Sequence, residues 1–306
     1  MKKVVSLVMA ALLCMSALAG CSSTDGTSST GGSSTTGGSS AAQTEGTGMS
    51  GAITVISREE GSGTRGAFVE LMGVETDDGD MTTENAEIAN STSLVQNTVS
   101  GNKNSIGYIS LGSYDSSAVK AVKVDGVEAT VENIKAGKYA VSRPFVLCYK
   151  EENLTDLGKD FIKFILSAEG QAIVSEEGYI TVNDEAESYT ASGLTGNLSL
   201  NGSTSVGPVM EVLAEAYMGL NSGVTIDIQQ TGSGTGITAT IDGSCEIGMS
   251  SREIKDEELS QGLTAENIAL DGIAVIVNQE NTVEDLTAEQ IRQIYTGEVT
   301  DWSEIG

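Results

Sequence analysis

The chain has 306 residues, of which 16 are basic and 43 acidic, so its formal net charge at pH 7 is −27. This acidity argues against a nucleic-acid partner, because phosphate backbones are bound by Lys and Arg. The chain contains no histidine, which excludes Ser-His-Asp and Cys-His triads and histidine metal sites. We therefore expect neither a metal nor a cofactor.

The N-terminus has the pattern of an export signal. Two lysines precede an apolar run over residues 4–17, which ends in Leu18-Ala19-Gly20-Cys21. The apolar run is shorter than the ~20 residues that span a bilayer. Leu-Ala-Gly-Cys resembles the lipobox of bacterial lipoproteins, so we predict a signal peptide at 1–20, lipidation of Cys21 and a place on the outer face of the cell membrane. The alternative is a plain signal peptide with an incidental cysteine.

The next segment, 21–50, is rich in Ser, Thr and Gly. It has no apolar cluster to bury and is predicted to be a flexible linker between the lipid anchor and the folded part.

From residue 51 onwards, strand-like and helix-like segments alternate. In chain order, the patterns predict a strand over 53–57, a helix start over 66–72, strands over 105–111 and 145–149, a helix over 157–174, a polar joining loop over 183–197, a helix over 206–218, strands over 224–230, 246–250 and 273–278, and a helix opened by a capping box at 287–290. This alternation favours an α/β architecture.

Three turns rich in Gly, Ser and Thr lie where a predicted strand runs into a helix. They cover residues 57–66, 201–207 and 231–236, and the first and third share Gly-Ser-Gly-Thr. Unpaired N–H groups at a helix N-terminus, glycine backbone and hydroxyl side chains together make an anion site from neutral groups. Three converging turns could surround a tetrahedral oxyanion. None is a P-loop, because Gly-Lys-Ser/Thr is missing.

Two arginines follow predicted strands. Arg58 comes directly after strand 53–57, where a guanidinium could donate two parallel hydrogen bonds to an anion. The alternative is an ion pair with Glu59, Glu60 or another acidic residue. Arg252 follows strand 246–250 in the same way and is a second candidate ligand.

These residues resemble the phosphate-binding proteins of bacterial Pst-type ABC transporters. The similar stretches are residues 56–68, 201–206, 230–235, 247–252 and 294–305, spread over essentially all of 51–306. The resemblance implies a two-lobed periplasmic-binding-protein type II fold, in which the lobes close on inorganic phosphate and deliver it to membrane permease subunits. We also expect a monomer without enzymatic activity.

The resemblance also implies roles for individual residues. Arg58 would be the charged donor to phosphate, with Glu60 orienting it from behind. Ser62, Gly63, Thr64, Thr204, Ser205 and Ser233 would be the remaining ligands that the resemblance implies. We add Arg252, from its place after a strand, and Ser251, whose hydroxyl can also form a hydrogen bond, as candidate phosphate ligands. Many relatives have Asp where this chain has Ser251, and such an acid can reject unprotonated sulfate. A serine there makes selectivity for phosphate less strict.

The order of segments differs from that of the family, whose Gly-Ser-Thr-Ser-Val part normally comes first. This indicates a circular permutation, with lobe 2 built from 51–140 plus 278–306, lobe 1 formed by 141–277, and residues 183–197 joining the old ends. The alternative is a fragment of a longer tandem protein.

Three other functions compete with a phosphate receptor. They are a binder of another oxyanion such as sulfate or molybdate, a serine-nucleophile hydrolase or phosphatase, and a surface adhesin whose glycine turns are only structural. The missing histidine and the absence of a Ser-Lys motif argue against the enzyme. Cys148 and Cys245 could pair as a disulfide or remain free thiols.

Overall fold

The computed structural model describes residues 48–305, so the predicted signal peptide, Cys21 and nearly all of the linker lie outside the described residues. Within that range the strands are β1 (Thr54–Arg58), β2 (Glu75–Thr76), β3 (Gly79–Asp80), β4 (Glu87–Ala89), β5 (Ser105–Ser110), β6 (Val119–Ala121), β7 (Lys123–Val124), β8 (Ser142–Tyr149), β9 (Gly196–Gly202), β10 (Val224–Gln230), β11 (Ile247–Ser250), β12 (Thr264–Asn278) and β13 (Asp285–Leu286). The α-helices are α1 (Gly63–Leu71), α2 (Thr92–Gly101), α3 (Val131–Lys135), α4 (Asp156–Ile165), α5 (Ala168–Glu176), α6 (Gly207–Leu220), α7 (Ser233–Ile241), α8 (Asp256–Leu259) and α9 (Ala288–Thr296).

The main sheet has two parallel parts joined by antiparallel strands. Its strand order is β10-β9-β11-β8-β12-β5-β1-β4, with β6 also pairing with β12. The pairs β10/β9, β9/β11, β5/β1 and β1/β4 are parallel, whereas β11/β8, β8/β12 and β12/β5 are antiparallel. The predicted α/β architecture is therefore present, and strands β8 and β12 connect its two parts.

Two large hydrophobic clusters flank this connection. One contains Phe68, Tyr108, Tyr295 and Trp302, and the other contains Phe161, Leu213 and Tyr217. Strand β12 contributes to both, since Ile268 belongs to the second cluster and Val275 to the first. Its residues 273–278 are buried, as expected for a strand covered on both faces.

A buried ion pair ties the two connecting strands together. Arg143 of β8 and Asp271 of β12 are register partners, and Arg143 Nη2 lies 3.1 Å from Asp271 Oδ2. Both side chains are fully buried. Burial raises the pKa of Asp271 to about 6, despite the opposing effect of Arg143. Removing one partner of such a pair leaves an uncompensated buried charge, which costs about 3–5 kcal/mol.

The predicted joining loop lacks regular structure up to Thr195, and β9 then begins at Gly196. Side-chain contacts hold this loop against the second cluster. Asp160 Oδ2 accepts hydrogen bonds from the hydroxyls of Tyr189, Ser192 and Tyr217 at 2.6–2.7 Å. Burial acts to raise the pKa of Asp160, but these three hydrogen bonds outweigh it and lower the pKa below the ordinary value.

Two predicted elements differ from the structure. The single helix predicted over 157–174 is wrong, because α4 and α5 are separate and Ser167 caps the second one through a hydrogen bond from Gly170 N. The strand predicted over 273–278 is only the last part of β12, whose first half carries too many polar residues to show a continuous apolar run. The capping box before α9 is confirmed at Thr287 and Gln290.

Candidate oxyanion site

Polar turns follow five strands of the main sheet. Strands β1 and β4 are parallel to each other, as are β9, β10 and β11. The carboxyl ends of parallel strands lie at one edge of a sheet, which is where open α/β sheets bind ligands. The turns after these strands supply residues 58–64, 90–92, 203–205, 231–234 and 251–252. Contacts between these turns define the candidate site.

Arg58, the last residue of β1, is the buried cation of this site. Its side chain is 2% exposed. Nε and Nη2 donate to the two carboxylate oxygens of Glu59 at 2.8 and 2.7 Å. Nη2 also donates to Thr204 Oγ1 at 3.0 Å, and Nη1 donates to Thr92 Oγ1 at 3.4 Å. The guanidinium is therefore fixed in a plane that reaches hydroxyls from two other turns.

Four hydroxyls gather beside this guanidinium. Ser205 Oγ lies 2.9 Å from Thr64 Oγ1 and 2.9 Å from Thr92 Oγ1. Thr204 Oγ1 accepts a hydrogen bond from the Thr92 backbone N–H at 3.4 Å. All four residues are buried. The turn after β9 thus meets the turns after β1 and β4.

A second group of hydroxyls lies where the turns after β9, β10 and β11 meet. Ser203 Oγ donates to Ser251 Oγ at 2.9 Å, and Ser251 N donates to Ser233 Oγ at 3.1 Å. A Cβ placed on Gly63 would lie 2.5 Å from Ser233 Oγ and 2.7 Å from Ser251 Oγ. Gly234 N also donates to Gly61 O at 2.9 Å. Glycine is needed at position 63 because the turn after β1 approaches these serines so closely.

This arrangement places neutral hydrogen-bond donors, namely hydroxyls and backbone N–H groups, around one guanidinium. Hydroxyls can turn their protons towards a ligand, and the N-termini of α1, α2 and α7 add backbone dipoles of the sign that favours an anion. Among residues 48–305, Glu59 supplies the one carboxylate that touches Arg58. Such a set of groups suits a small oxyanion.

Proteins of similar sequence indicate the family of this chain. A family model described as the PBP superfamily domain matches residues 36–169 and 187–306. A protein named phosphate-binding protein PstS 2, from Streptococcus agalactiae serotype V, is 50% identical over 260 residues, which are 83% of this chain and 88% of that protein. The PstS 2 protein of Streptococcus pneumoniae serotype 4 is 47% identical over 84% of this chain and 88% of its own length.

A solved structure supports the same family. The crystal structure of a phosphate-binding protein of a phosphate ABC transporter from Streptococcus pneumoniae TIGR4 matches with a TM-score of 0.68 and 46% identity, covering 84% of this chain and 100% of that chain. This chain belongs to the PstS family of the PBP superfamily. The predicted family and its two-lobed periplasmic-binding-protein fold are thereby confirmed.

The segment order agrees with the streptococcal members of the PstS family, because one alignment runs through 88% of their length. The circular permutation relative to other members stays a prediction. The boundaries given for the two lobes stay a prediction as well.

Seven of the predicted PstS ligand residues lie in the two groups of contacts around Arg58: Arg58, Gly63, Thr64, Thr204, Ser205, Ser233 and Ser251. Ser62 lies in the same turn as Gly63, where its hydroxyl caps α1 by accepting from Arg65 N at 3.4 Å.

Two predicted residues have other surroundings. Arg252 forms a bidentate pair with Glu258, with Nη1 and Nη2 at 2.8 and 2.7 Å from its carboxylate oxygens. Glu60 is exposed. The carboxylate that contacts Arg58 belongs to Glu59 instead, so the expected contact between Glu60 and Arg58 is absent among residues 48–305. This is the ion pair that the alternative interpretation of Arg58 allowed.

Two residues at the site were missed from the sequence. Ser203 lies inside a turn that was recognised, and its hydroxyl also accepts from Ser205 N at 3.1 Å. Thr92 belongs to a fourth polar segment, Asn90-Ser91-Thr92-Ser93, which follows β4 and forms the start of α2. The same pattern of small polar residues before a helix could have identified it.

Within residues 48–305 no group of three or more His, Cys, Asp or Glu side chains could hold a metal ion. In the same range, no helix combines the length and apolarity needed to cross a bilayer. Cys148 and Cys245 are both buried free thiols in this structure. Burial raises the pKa of the Cys148 thiol to about 12, so it is unreactive as a thiolate at neutral pH.

Proposed function

We propose that this chain captures inorganic phosphate in the cleft between its lobes and delivers it to an ABC importer. The observation that carries the proposal is the meeting of Arg58 with hydroxyls from turns on both sides of the connecting strands. The names of the PstS 2 relatives and of the pneumococcal structure agree with phosphate as the ligand.

In this proposal Arg58 donates to phosphate as its charged ligand. Glu59 takes the orienting role that was predicted for Glu60, because it holds the guanidinium through both of its oxygens. The hydroxyls or backbone N–H groups of the other turn residues complete the shell, namely Ser62, Gly63, Thr64, Thr204, Ser205, Ser233 and Ser251. Arg252, which Glu258 already holds, would act indirectly.

The cellular setting is part of the proposal. Residues 1–20 would be removed on export, and lipidated Cys21 would anchor the chain to the outer face of the cell membrane. Residues 21–50 would tether it within reach of permease subunits. We propose a monomeric binding protein rather than an enzyme, without a nucleic-acid partner.

The rearranged order of segments fits the same function. We propose that lobe 2 comprises 51–140 plus 278–306 and lobe 1 comprises 141–277, with residues 183–197 joining the old ends. The main clusters are compatible with this division, since one draws mainly on residues 55–141 and 273–305 and the other on 145–269. Circular permutation is tolerated where the joined ends lie at the surface.

A second candidate ligand is another tetrahedral oxyanion such as sulfate. The observation that favours it is the contact of Ser251 with the hydroxyls of Ser203 and Ser233 instead of a carboxylate. A hydroxyl can donate to an unprotonated oxygen, so it does not reject sulfate as a carboxylate would.

Titration calorimetry of the purified chain with phosphate, sulfate and molybdate tests the proposal. We expect phosphate to release or absorb heat with 1:1 stoichiometry and to raise the unfolding temperature. Neither heat nor a thermal shift with phosphate would refute it. Tighter binding of sulfate or molybdate would identify that ion, rather than phosphate, as the ligand.

A further inference from the structure

Thr92 has a fixed position at the site, although its hydroxyl is not the one that caps its own helix. It is the first residue of α2 and is 5% exposed. The cap of α2 is Ser91, whose hydroxyl accepts from Leu94 N at 3.2 Å. Val95 and Val99 of α2 pack in one cluster with Ile56 of β1. The helix is therefore fixed against the strand that carries Arg58, and the Thr92 hydroxyl is left for another role.

The direction of the hydrogen bonds around Arg58 shows what that role is. A guanidinium only donates, whereas a hydroxyl has one proton and two lone pairs. Thr92 Oγ1 accepts from Arg58 Nη1 and lies 2.9 Å from Ser205 Oγ, where either hydroxyl can be the donor. With Ser205 as the donor, both lone pairs of Thr92 Oγ1 are filled and its own proton can point to the anion. Thr204 Oγ1 accepts from Arg58 Nη2 and from Thr92 N, which occupies both lone pairs, so its proton points either to Thr92 Oγ1 at 3.5 Å or to the anion.

Thr92 also connects the two sides of the site. Its backbone N–H contacts Thr204, and its hydroxyl lies 2.9 Å from Ser205 Oγ. Both partners follow β9, whereas Thr92 and Arg58 follow β4 and β1. These contacts can form only when the two sets of turns are together, and they bias the Thr204 hydroxyl towards donation.

We propose that Thr92 is a further residue of the oxyanion site, which makes the Thr204 hydroxyl and its own hydroxyl donors to the bound anion and holds the turns after β4 and β9 together. This inference rests on the proposed phosphate-binding function. It adds a ligand-positioning residue on α2 that the three recognised turns do not contain.

The test compares isosteric variants by phosphate calorimetry on the full chain. Thr92→Val keeps the branched shape and removes the hydroxyl, and we expect the Kd for phosphate to rise at least about tenfold, as for an unpaired buried polar partner. Thr92→Ser keeps the hydroxyl and should stay within about threefold of the unchanged chain. Thr98→Val makes the same chemical change at a half-buried position of the same helix and should not change the Kd.

A double-mutant cycle with Thr204→Val separates positioning from a purely local effect. If Thr92 acts through Thr204, the double variant should lose less binding than the two single losses combined. Unfolding temperatures without phosphate show whether each variant folds, and Thr92→Ala replaces Thr92→Val if the latter does not.

The outcomes are distinguishable from those of the proposed function. Phosphate binding by the unchanged chain, with equal binding by Thr92→Val, would overturn the inference and leave the function standing. Equal weakening by Thr92→Val and Thr92→Ser would also overturn it, because the hydroxyl would then not be the cause. If the unchanged chain bound no phosphate, the function and this inference would both be refuted.

Discussion

Replacing Arg58 by alanine is the most direct test of the oxyanion site. A guanidinium has five N–H groups, and four of those on Arg58 donate to Glu59, Thr92 and Thr204. The fifth, on Nη1, has no partner within residues 48–305. We therefore expect at least one charged hydrogen bond from this side chain to the anion. The two nearby arginines of these turns already have partners, because Arg65 contacts the Arg58 carbonyl and Asp80, and Arg252 is paired with Glu258.

Loss of a buried charged hydrogen bond costs about 2–5 kcal/mol, which corresponds to a Kd for phosphate about 30-fold to 4,000-fold higher. The guanidinium also orients two hydroxyls, so the upper half of that range is expected. Arg58→Lys keeps the charge but cannot contact Glu59 and Thr204 at once, and should fall between Arg58→Ala and the unchanged chain.

Calorimetry measures these Kd values, with Arg292→Ala as the control for net charge. Arg292 lies on α9 and pairs with Glu289 and Glu298 at the surface, away from the site. Its removal should leave the Kd unchanged. Binding by Arg58→Ala within about twofold of the unchanged chain would refute the assignment of Arg58 to the site.

Three further predictions concern neighbouring groups. Glu59→Gln should raise the Kd for phosphate by about tenfold, because it loosens the carboxylate pair on Arg58, whereas Glu60→Gln should have no effect. Gly63→Ala should weaken binding by about 1–3 kcal/mol, because its methyl group would collide with two serine hydroxyls from other turns. Asp160→Asn should lower the free energy of unfolding at pH 7 by about 1–2 kcal/mol. The folded-state pKa of Asp160 is lowered, so its contribution exists above the ordinary pKa and disappears as the pH falls through the folded value.

Each of these has a contrary outcome. Equal effects of Glu59→Gln and Glu60→Gln in calorimetry would contradict the specific role of Glu59. A Gly63→Ala variant with unchanged phosphate affinity would mean that the turn after β1 can move away from Ser233 and Ser251. For Asp160, urea unfolding at several pH values should show the gap between variant and unchanged chain closing below about pH 4. A gap independent of pH would contradict the ionised hydrogen-bonded carboxylate.

The sequence identified the parts of the site that have a strong local pattern. The turns after β1 and β10 follow strands predicted over 53–57 and 224–230, whereas the turn after β9 was recognised from its own composition. All three precede a helix, and they meet in the structure. The turn after β4 has the same composition, but β4 has only three residues and two of them are exposed. Without an apolar run before it, the turn containing Thr92 could not be told from an ordinary helix cap.

Side-chain partners within a turn were not predictable in the same way. Glu59 and Glu60 are adjacent, and only the backbone path of the turn, with Gly61 at φ 81°, decides which one faces Arg58. The partner of Arg252 lies six residues further on, in the short helix α8. A composition pattern gives the types of residue that gather at a strand end, whereas the choice among neighbours depends on tertiary geometry.

The strong acidity of the chain is compatible with anion binding because the two effects act over different distances. The formal charge of −27 creates a long-range field that slows the approach of an anion and is screened over ~8 Å at physiological ionic strength. Affinity depends on contacts within about 3 Å, where the described site presents hydroxyls, backbone N–H groups and Arg58. The nearest carboxylate, Glu59, accepts hydrogen bonds from Arg58 with both of its oxygens. It therefore fixes the orientation of the guanidinium and leaves one N–H group for the ligand. A site built from neutral donors can therefore hold an anion inside a chain whose surface repels it.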